Sequence, residues 1–116
     1  MNHVIIVGRL TATPELLGVD TDNMRATITI AVKRTYKNQS GIYETDFIRC
    51  LLWNGIAKRA SEMYKKGDIL CVHGRLQVQV YESENQERKY YTEVIAEQVS
   101  LVSSYKGNEV SCQGQN

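Results

Sequence analysis

Residues 43–53 combine large aromatic side chains with an arginine in a run that alternates like a β-strand. Because strand side chains point alternately to two faces, one face carries Tyr43, Thr45, Phe47, Arg49, Leu51 and Trp53. The other face carries Ile48, Cys50 and Leu52, which suit a core. Exposed rings stack on nucleobases, and a guanidinium pairs with phosphate. The alternative is that Phe47 and Trp53 pack under a loop or at a subunit interface.

Further aromatic and basic residues lie near the ends of other predicted strands. Tyr36 ends the second strand beside Lys33 and Arg34, and Tyr81 ends the fourth strand at the mouth of a hairpin. Tyr90 and Tyr91 point to opposite faces of the fifth strand, so at most one of them can join a common binding surface. The helical cations Lys58, Arg59, Lys65 and Lys66 are interpreted as a solvated face.

The charge of the chain is segregated along the sequence. The net charge is only +1, which alone argues against a generic binder of polyanions. Residues 25–59, however, contain seven basic and two acidic residues, a local charge of +5. Acidic residues concentrate around residues 15–22 and 82–87. The basic part of the chain therefore overlaps its aromatic part.

Catalytic and metal-binding patterns are weak. No two of the three cysteines are close in sequence, and His3 and His73 are the only histidines, so a zinc site is not expected. Because Cys50 and Cys71 lie in apolar runs, they are interpreted as structural thiols, whereas Cys112 lies in a polar tail. A metal-dependent nuclease would have to use Glu44 and Asp46, without a triad to accompany them. We expect no enzyme activity, no metal and no cofactor.

Hydrophobic patterning predicts five strands and one helix. The strands are expected at residues 2–10, 24–36, 43–53, 69–81 and 90–102, with hairpin loops at 37–41 and 82–89. The helix is expected to begin with Asn54 as N-cap and to end at Gly67, with Lys65 and Lys66 in its last turn. This order predicts an all-β fold with one helix, the OB-fold: a five-stranded Greek-key barrel with its helix between strands 3 and 4.

The chain is expected to contain one domain, residues 1–103, followed by a short polar and flexible tail, residues 104–116. No apolar run approaches the roughly 20 residues that span a bilayer, and the amino terminus is too short and too quickly charged for a secretory signal. A cytoplasmic protein with no membrane partner is expected.

Several motifs together resemble the bacterial single-stranded DNA-binding protein family. They are N-x-V-I-I-V-G-R-L at 2–10, T-P-E at 13–15, T-I-T-I-A-V at 27–32, T-D-F-I-R-C-L-L-W at 45–53, A-K-R-A-S-E-M-Y-K-K-G at 57–67, H-G-R-L at 73–76 and Y-x-T-E-V at 90–94. The resemblance covers residues 1–103 in the right order.

The resemblance implies an OB-fold that assembles as a homotetramer and wraps single-stranded DNA without reading its sequence. Such a protein protects DNA during replication, recombination, repair or uptake, near the nucleoid. The expected DNA-binding residues are Tyr36, Phe47, Trp53, Tyr81, Arg49, Lys33 and Arg34. The alternative is a primosomal-type OB-fold protein that acts mainly as a protein-docking adaptor.

Two departures from the family pattern are visible. Gln77 and Gln79 stand where some members carry basic residues, which predicts fewer phosphate contacts. Residues 104–116 contain one acid, Glu109, and lack the acidic, phenylalanine-ended tip that usually recruits partners. Recruitment through such a tip is not expected, and the chain is interpreted as a short paralogue, a phage or plasmid form, or a trimmed version.

Overall fold

The computed structural model describes residues 1–105, which form a closed five-stranded barrel with one helix. The elements are β1 (Val4–Leu10), β2 (Arg25–Lys37), β3 (Tyr43–Trp53), α1 (Asn54–Met63), β4 (Ile69–Glu82) and β5 (Arg88–Ser103). The strand order around the barrel is β1-β2-β3-β5-β4, and β3 pairs with β5 in parallel. The OB-fold predicted from the sequence is confirmed. The part of the tail from residue 106 onward, including Cys112 and Glu109, lies outside the described residues.

The core is built from the inward-facing side chains of all five strands and one face of α1. The largest fully buried side chains are Leu10, Ile30, Leu52, Leu70, Val72 and Cys50. Because each strand alternates, burying these side chains turns the intervening residues outward. Burial also raises the pKa of the Cys50 thiol to about 11, as expected for a neutral structural thiol.

Two glycines allow strands to approach closely where the barrel curves. A Cβ added to Gly8 would collide with the Ala31 carbonyl oxygen and would lie 2.7 Å from a methyl carbon of Ile30. A Cβ on Gly74 would collide with the backbone of Ile95, next to an irregularity in the β4–β5 pairing. Both sites lack a side chain because neighbouring backbone occupies that space.

The predicted ends of the helix are wrong. The helix begins at Asn54 itself, which has a left-handed φ of +49°; the N-cap position is held by Trp53, and no side chain caps the first turn. The helix ends at Met63, before Lys65 and Lys66, because Tyr64 turns into an extended conformation. This turn buries the Tyr64 ring, and its hydroxyl donates a hydrogen bond to the Val99 carbonyl oxygen at 3.2 Å. Burial of a large aromatic side chain outweighs continuation of the helix to Gly67.

The β4–β5 hairpin continues beyond the core as an arm, defined here as Gln77–Glu93. Leu70 and Val72 of β4 are fully buried, whereas Leu76, Val78 and Val80, which follow on the same face, are about half exposed. The arm therefore presents both of its faces to solvent. Among residues 1–105, no helix is long and apolar enough to cross a membrane.

Candidate nucleic-acid interface

The outward side chains of β3 form an aromatic and basic surface, called here the β3 face: Tyr43, Thr45, Phe47, Arg49, Leu51 and Trp53. Phe47 is 66% exposed and Trp53 is 39% exposed. The Arg49 side chain between them is 63% exposed. Since exposed rings cost free energy in water, this arrangement contributes nothing to the stability of the isolated barrel. It leaves ring faces and a cation open to a ligand.

The pairing of β2 with β3 explains why the Phe47 ring and the Arg49 side chain stay uncovered. The register places Ala31 opposite Phe47 and Thr29 opposite Arg49. Directly opposed side chains lie close enough to touch, but alanine and threonine are too short to cover a phenyl ring. Small residues on β2 therefore keep the β3 face accessible.

Two cations of β2 extend the β3 face toward the hairpin tip. Lys33 is paired with Thr45 and Lys37 with Tyr43, so both lysines share this face. Their Nζ atoms lie 5.2 and 5.7 Å from the centre of the Tyr43 ring. Cation–π contacts at these distances hold the ammonium groups along the edge of the surface. Tyr36 is exposed in the irregular segment between the two lysines.

Arg34 differs from the other predicted DNA-binding residues because carboxylates already hold its guanidinium. Asp46 accepts hydrogen bonds from Nη2 at 2.8 Å and from Nε at 3.1 Å, and Glu44 accepts one from Nη1 at 3.3 Å. The hydrogen bond with Asp46 raises the pKa of Arg34, and the hydrogen bond from Arg34 lowers the pKa of Asp46. This bidentate pair ties β2 to β3 at the base of the hairpin tip.

A second group of aromatic residues lies on the arm. Tyr81 is exposed, and its ring meets the Tyr91 ring edge to face at a centroid distance of 5.5 Å. Tyr90 is paired with Val80 on the opposite face. Of the two adjacent tyrosines, Tyr91 therefore shares a surface with Tyr81. Neither Gln77 nor Gln79 adds a charge there.

The β3 face is continuous with the Tyr81 side of the arm. The parallel pairing joins Cys50 to Val94, so Arg49 and Glu93 are neighbours on the outer side. The Arg49 Nη2 atom lies 3.9 Å from a Glu93 carboxylate oxygen. Further along the arm, the β4–β5 register pairs Glu93 with Gln77, Tyr91 with Gln79 and Lys89 with Tyr81. Because alternate residues of each strand share a face, the outward side chains of β3, β5 and β4 form one surface from Trp53 to the arm.

The structure thus brings Lys33, Phe47, Arg49 and Trp53 onto one face and leads through β5 to Tyr81. Sequence reasoning missed Arg25, the register partner of Trp53, and did not choose Tyr91 over Tyr90. The alternation of β2 placed Arg25 on the polar face, but only the register set it beside the tryptophan. For Tyr91 the missing information was the register of β5 against β4.

The acidic pair considered for metal-dependent chemistry is engaged in ion pairs. Arg34 binds both Glu44 and Asp46 and so occupies carboxylate oxygens that a divalent cation would need. Within residues 1–105, no group of three or more His, Cys, Asp or Glu residues is arranged to hold a metal ion. The absence of enzyme activity stays a prediction.

Comparison with known proteins gives one consistent family. A family model described as "Single-strand binding protein family" matches residues 1–102. The chain is 41% identical over 116 residues to "Single-stranded DNA-binding protein A" of Bacillus subtilis (strain 168), covering 100% of this chain and 67% of that protein. It is 43% identical over 107 residues to the "Single-stranded DNA-binding protein" of Bacillus cereus, covering 92% of this chain and 63% of that protein.

A third relative is closer in length. "Single-stranded DNA-binding protein 3" of Streptococcus agalactiae serotype V is 37% identical over 116 residues, which is 100% of this chain and 84% of the relative. The chain thus spans about two thirds of the two Bacillus proteins and more of the streptococcal one.

Proposed function

The chain belongs to the single-strand binding protein family, and we propose that it binds single-stranded DNA along the β3 face and the Tyr81 side of the arm. Phe47, Trp53, Tyr36 and Tyr81 stack on bases, while Arg49 and Lys33 contact phosphates. Tyr91 and Arg25 extend this set. Arg34 contributes indirectly, because its bond to Asp46 fixes the hairpin that carries Tyr36 and Lys33.

One observation carries the proposal: Phe47 and Trp53 are exposed on either side of Arg49 on the outside of a closed barrel. Every base has a π-face, so stacking on rings holds a single strand without reading its sequence. Phosphates between successive bases supply the negative charge that Arg49 can meet. Duplex DNA stacks its bases on each other and offers no free faces to these rings.

The biological role follows from this chemistry. A protein that binds unpaired strands without sequence preference coats and protects them wherever they arise, in replication, recombination, repair or DNA uptake. Such intermediates form on cytoplasmic DNA, and we place the protein there, at the nucleoid. The proposed role requires no cofactor and no catalysis.

We also propose that the chain assembles as a homotetramer through β1 and the adjoining outer sheet. Pairing of β1 with β4 extends from Val4 to Arg9, but its pairing with β2 covers only Arg9 and Leu10. The opposite edge of β1 is therefore open over Val4–Val7, and Ile5 and Val7 are exposed on its outer side. Open strand edges with apolar side chains favour pairing with another copy. Four barrels would also offer a wrapping path of tens of nucleotides, at about 4–16 per OB unit.

Two measurements test this function. Fluorescence anisotropy of labelled oligo-dT should show tight binding that unlabelled single strands compete away and duplex DNA does not. Phe47→Ala should weaken binding by about 1–3 kcal/mol, the usual contribution of one stacked base. Tyr90→Ala is the matched control, because Tyr90 is an exposed ring on the opposite face of the arm.

Equal losses in these two variants would rule out the β3 face, and equal competition by duplex would rule out single-strand selectivity. Light scattering at micromolar concentration tests assembly. A mass of four chains is expected, and a monomer would contradict the proposed tetramer.

A further inference from the structure

A carboxylate lies in the middle of the proposed DNA path. The Glu93 side chain is only 11% exposed, although it belongs to the outer side of β5. Its charged neighbour is Arg49, whose Nη2 atom lies 3.9 Å away and whose side chain is 63% exposed. A negative charge at this place repels phosphate, so a surface shaped only for affinity would not contain it.

The Arg49–Glu93 contact is too loose to serve as a positioning contact. Arg34 and Asp46 show what such a contact looks like in this barrel, with two hydrogen bonds at 2.8 and 3.1 Å. Arg49 and Glu93 make a single contact at the limit of ion-pair distance. A bidentate pair fixes the guanidinium plane, whereas a single long contact leaves the guanidinium free to turn toward another anion.

The neighbours of Glu93 do not neutralise it in any other way. Gln77 is its register partner on β4, and the Gln77 side-chain oxygen accepts a hydrogen bond from Arg75 at 2.7 Å. The Arg75 guanidinium of β4 is therefore engaged by the side-chain amide of Gln77. Within the described residues, Arg49 is thus the cation with which Glu93 forms an ion pair.

We propose that Glu93 is a built-in competitor of the DNA phosphate for Arg49. In the free protein Glu93 attracts the Arg49 guanidinium, and a bound strand draws this guanidinium away to a phosphate. The exchange lowers affinity and makes a bound strand easier to release, which suits a protein that must be displaced from the DNA it coats. The inference rests on the proposed function, because it assumes that phosphate reaches Arg49.

The competition has a signature in the salt dependence of binding. When a phosphate takes Arg49 from Glu93, the freed carboxylate acquires a counterion, and this offsets part of the counterion release. With a neutral side chain at position 93, no carboxylate takes up a counterion, and the full number of counterions is released when DNA binds. Glu93→Gln should therefore bind oligo-dT up to about fivefold more tightly at low salt, the order expected of a weak ion pair. Its plot of log affinity against log salt should be steeper by up to about 0.7.

Glu97→Gln is the matched control. Glu97 is an exposed residue of β5, and replacing it changes the net charge by the same amount. Anisotropy titrations of the parent, Glu93→Gln and Glu97→Gln from low to high salt give both readouts. The expected result is tighter binding and a steeper slope for Glu93→Gln alone, with the gain fading at high salt. Thermal unfolding of each variant checks that the fold is kept.

Two results would overturn the proposal while leaving single-strand binding intact. If Glu93→Gln and Glu97→Gln behave alike, the carboxylate does not compete at Arg49. If Glu93→Gln weakens binding as much as Arg49→Ala does, Glu93 positions Arg49 instead. Failure of the parent chain to bind oligo-dT at any salt concentration would instead contradict the proposed function itself.

Discussion

Arg25 of β2 and Trp53 of β3 are directly opposed in the β2–β3 register, so their side chains leave the sheet on the same face. The Arg25 Nη1 atom donates a hydrogen bond to the Asn23 carbonyl oxygen at 3.3 Å, a long contact that leaves most of the guanidinium free. A base stacked on Trp53 would bring its own phosphate near this cation. We therefore expect Arg25 to extend the proposed DNA path at the end of β3.

Replacing this cation tests that extension. Arg25→Ala should weaken binding of oligo-dT, and the slope of log affinity against log salt should become shallower by about 0.7 because one phosphate contact is lost. Lys58→Ala is the control, since Lys58 is an exposed cation of α1. Anisotropy titrations over a range of salt concentrations measure both quantities. Equal changes in the two variants would assign the effect to net charge and remove Arg25 from the path.

The Arg34–Asp46 pair predicts a pH dependence of stability. The hydrogen bond from Arg34 lowers the folded-state pKa of Asp46 below its unfolded value of about 3.9. The stability that the pair contributes is therefore present above about pH 4 and is lost as pH falls through the lowered pKa. Because both side chains are partly exposed to solvent, screening keeps the effect modest.

Thermal unfolding of the parent and of Asp46→Asn between pH 2 and pH 6 checks this prediction. The variant should be less stable near pH 6, and the two curves should converge at the acid end. Asp22→Asn is the control, because Asp22 forms no ion pair within residues 1–105. A constant difference between Asp46→Asn and the parent over the whole range would contradict the pKa assignment.

Two glycines should respond oppositely to the same substitution. Gly8→Ala should destabilise the barrel by about 1–3 kcal/mol, because its Cβ would meet the backbone of β2. Gly55 lies in the first turn of α1 with no atom within 4 Å of an added Cβ. Gly55→Ala should therefore be neutral or raise the free energy of unfolding by up to about 1 kcal/mol. Denaturant unfolding compares them, and equal effects would contradict the close approach of β1 to β2.

Much of the fold could be predicted because the strands alternate clearly. Tyr43 to Trp53 was predicted with the bounds that the structure has, since an alternating run of eleven residues leaves little freedom. The end of the helix could not be predicted in the same way. Tyr64 fits the helical pattern, and only its contact with Val99, 35 residues later, shows that the chain leaves the helix there.

In the candidate site too, residues whose placement depends on one strand could be predicted, and residues whose placement depends on contacts between strands could not. The exposure of Phe47 and Trp53 followed from the apolar residues Ile48, Cys50 and Leu52 between them, which suit the core. The capture of Arg34 by Asp46 and the placement of Arg25 beside Trp53 depend on the β2–β3 register. Register is set by side chains on two strands and by the hairpin between them, so the sequence of one strand does not reveal it.

Binding of single-stranded DNA across the β3 face can be followed directly through Trp53, because it is the only tryptophan of the chain. Its emission should be followed while oligo-dT is added at low salt, with anisotropy of a labelled strand recorded in parallel. Stacking of a base on the indole should quench the emission in step with binding. Emission that stays unchanged at saturation, while anisotropy reports a bound strand, would contradict the account.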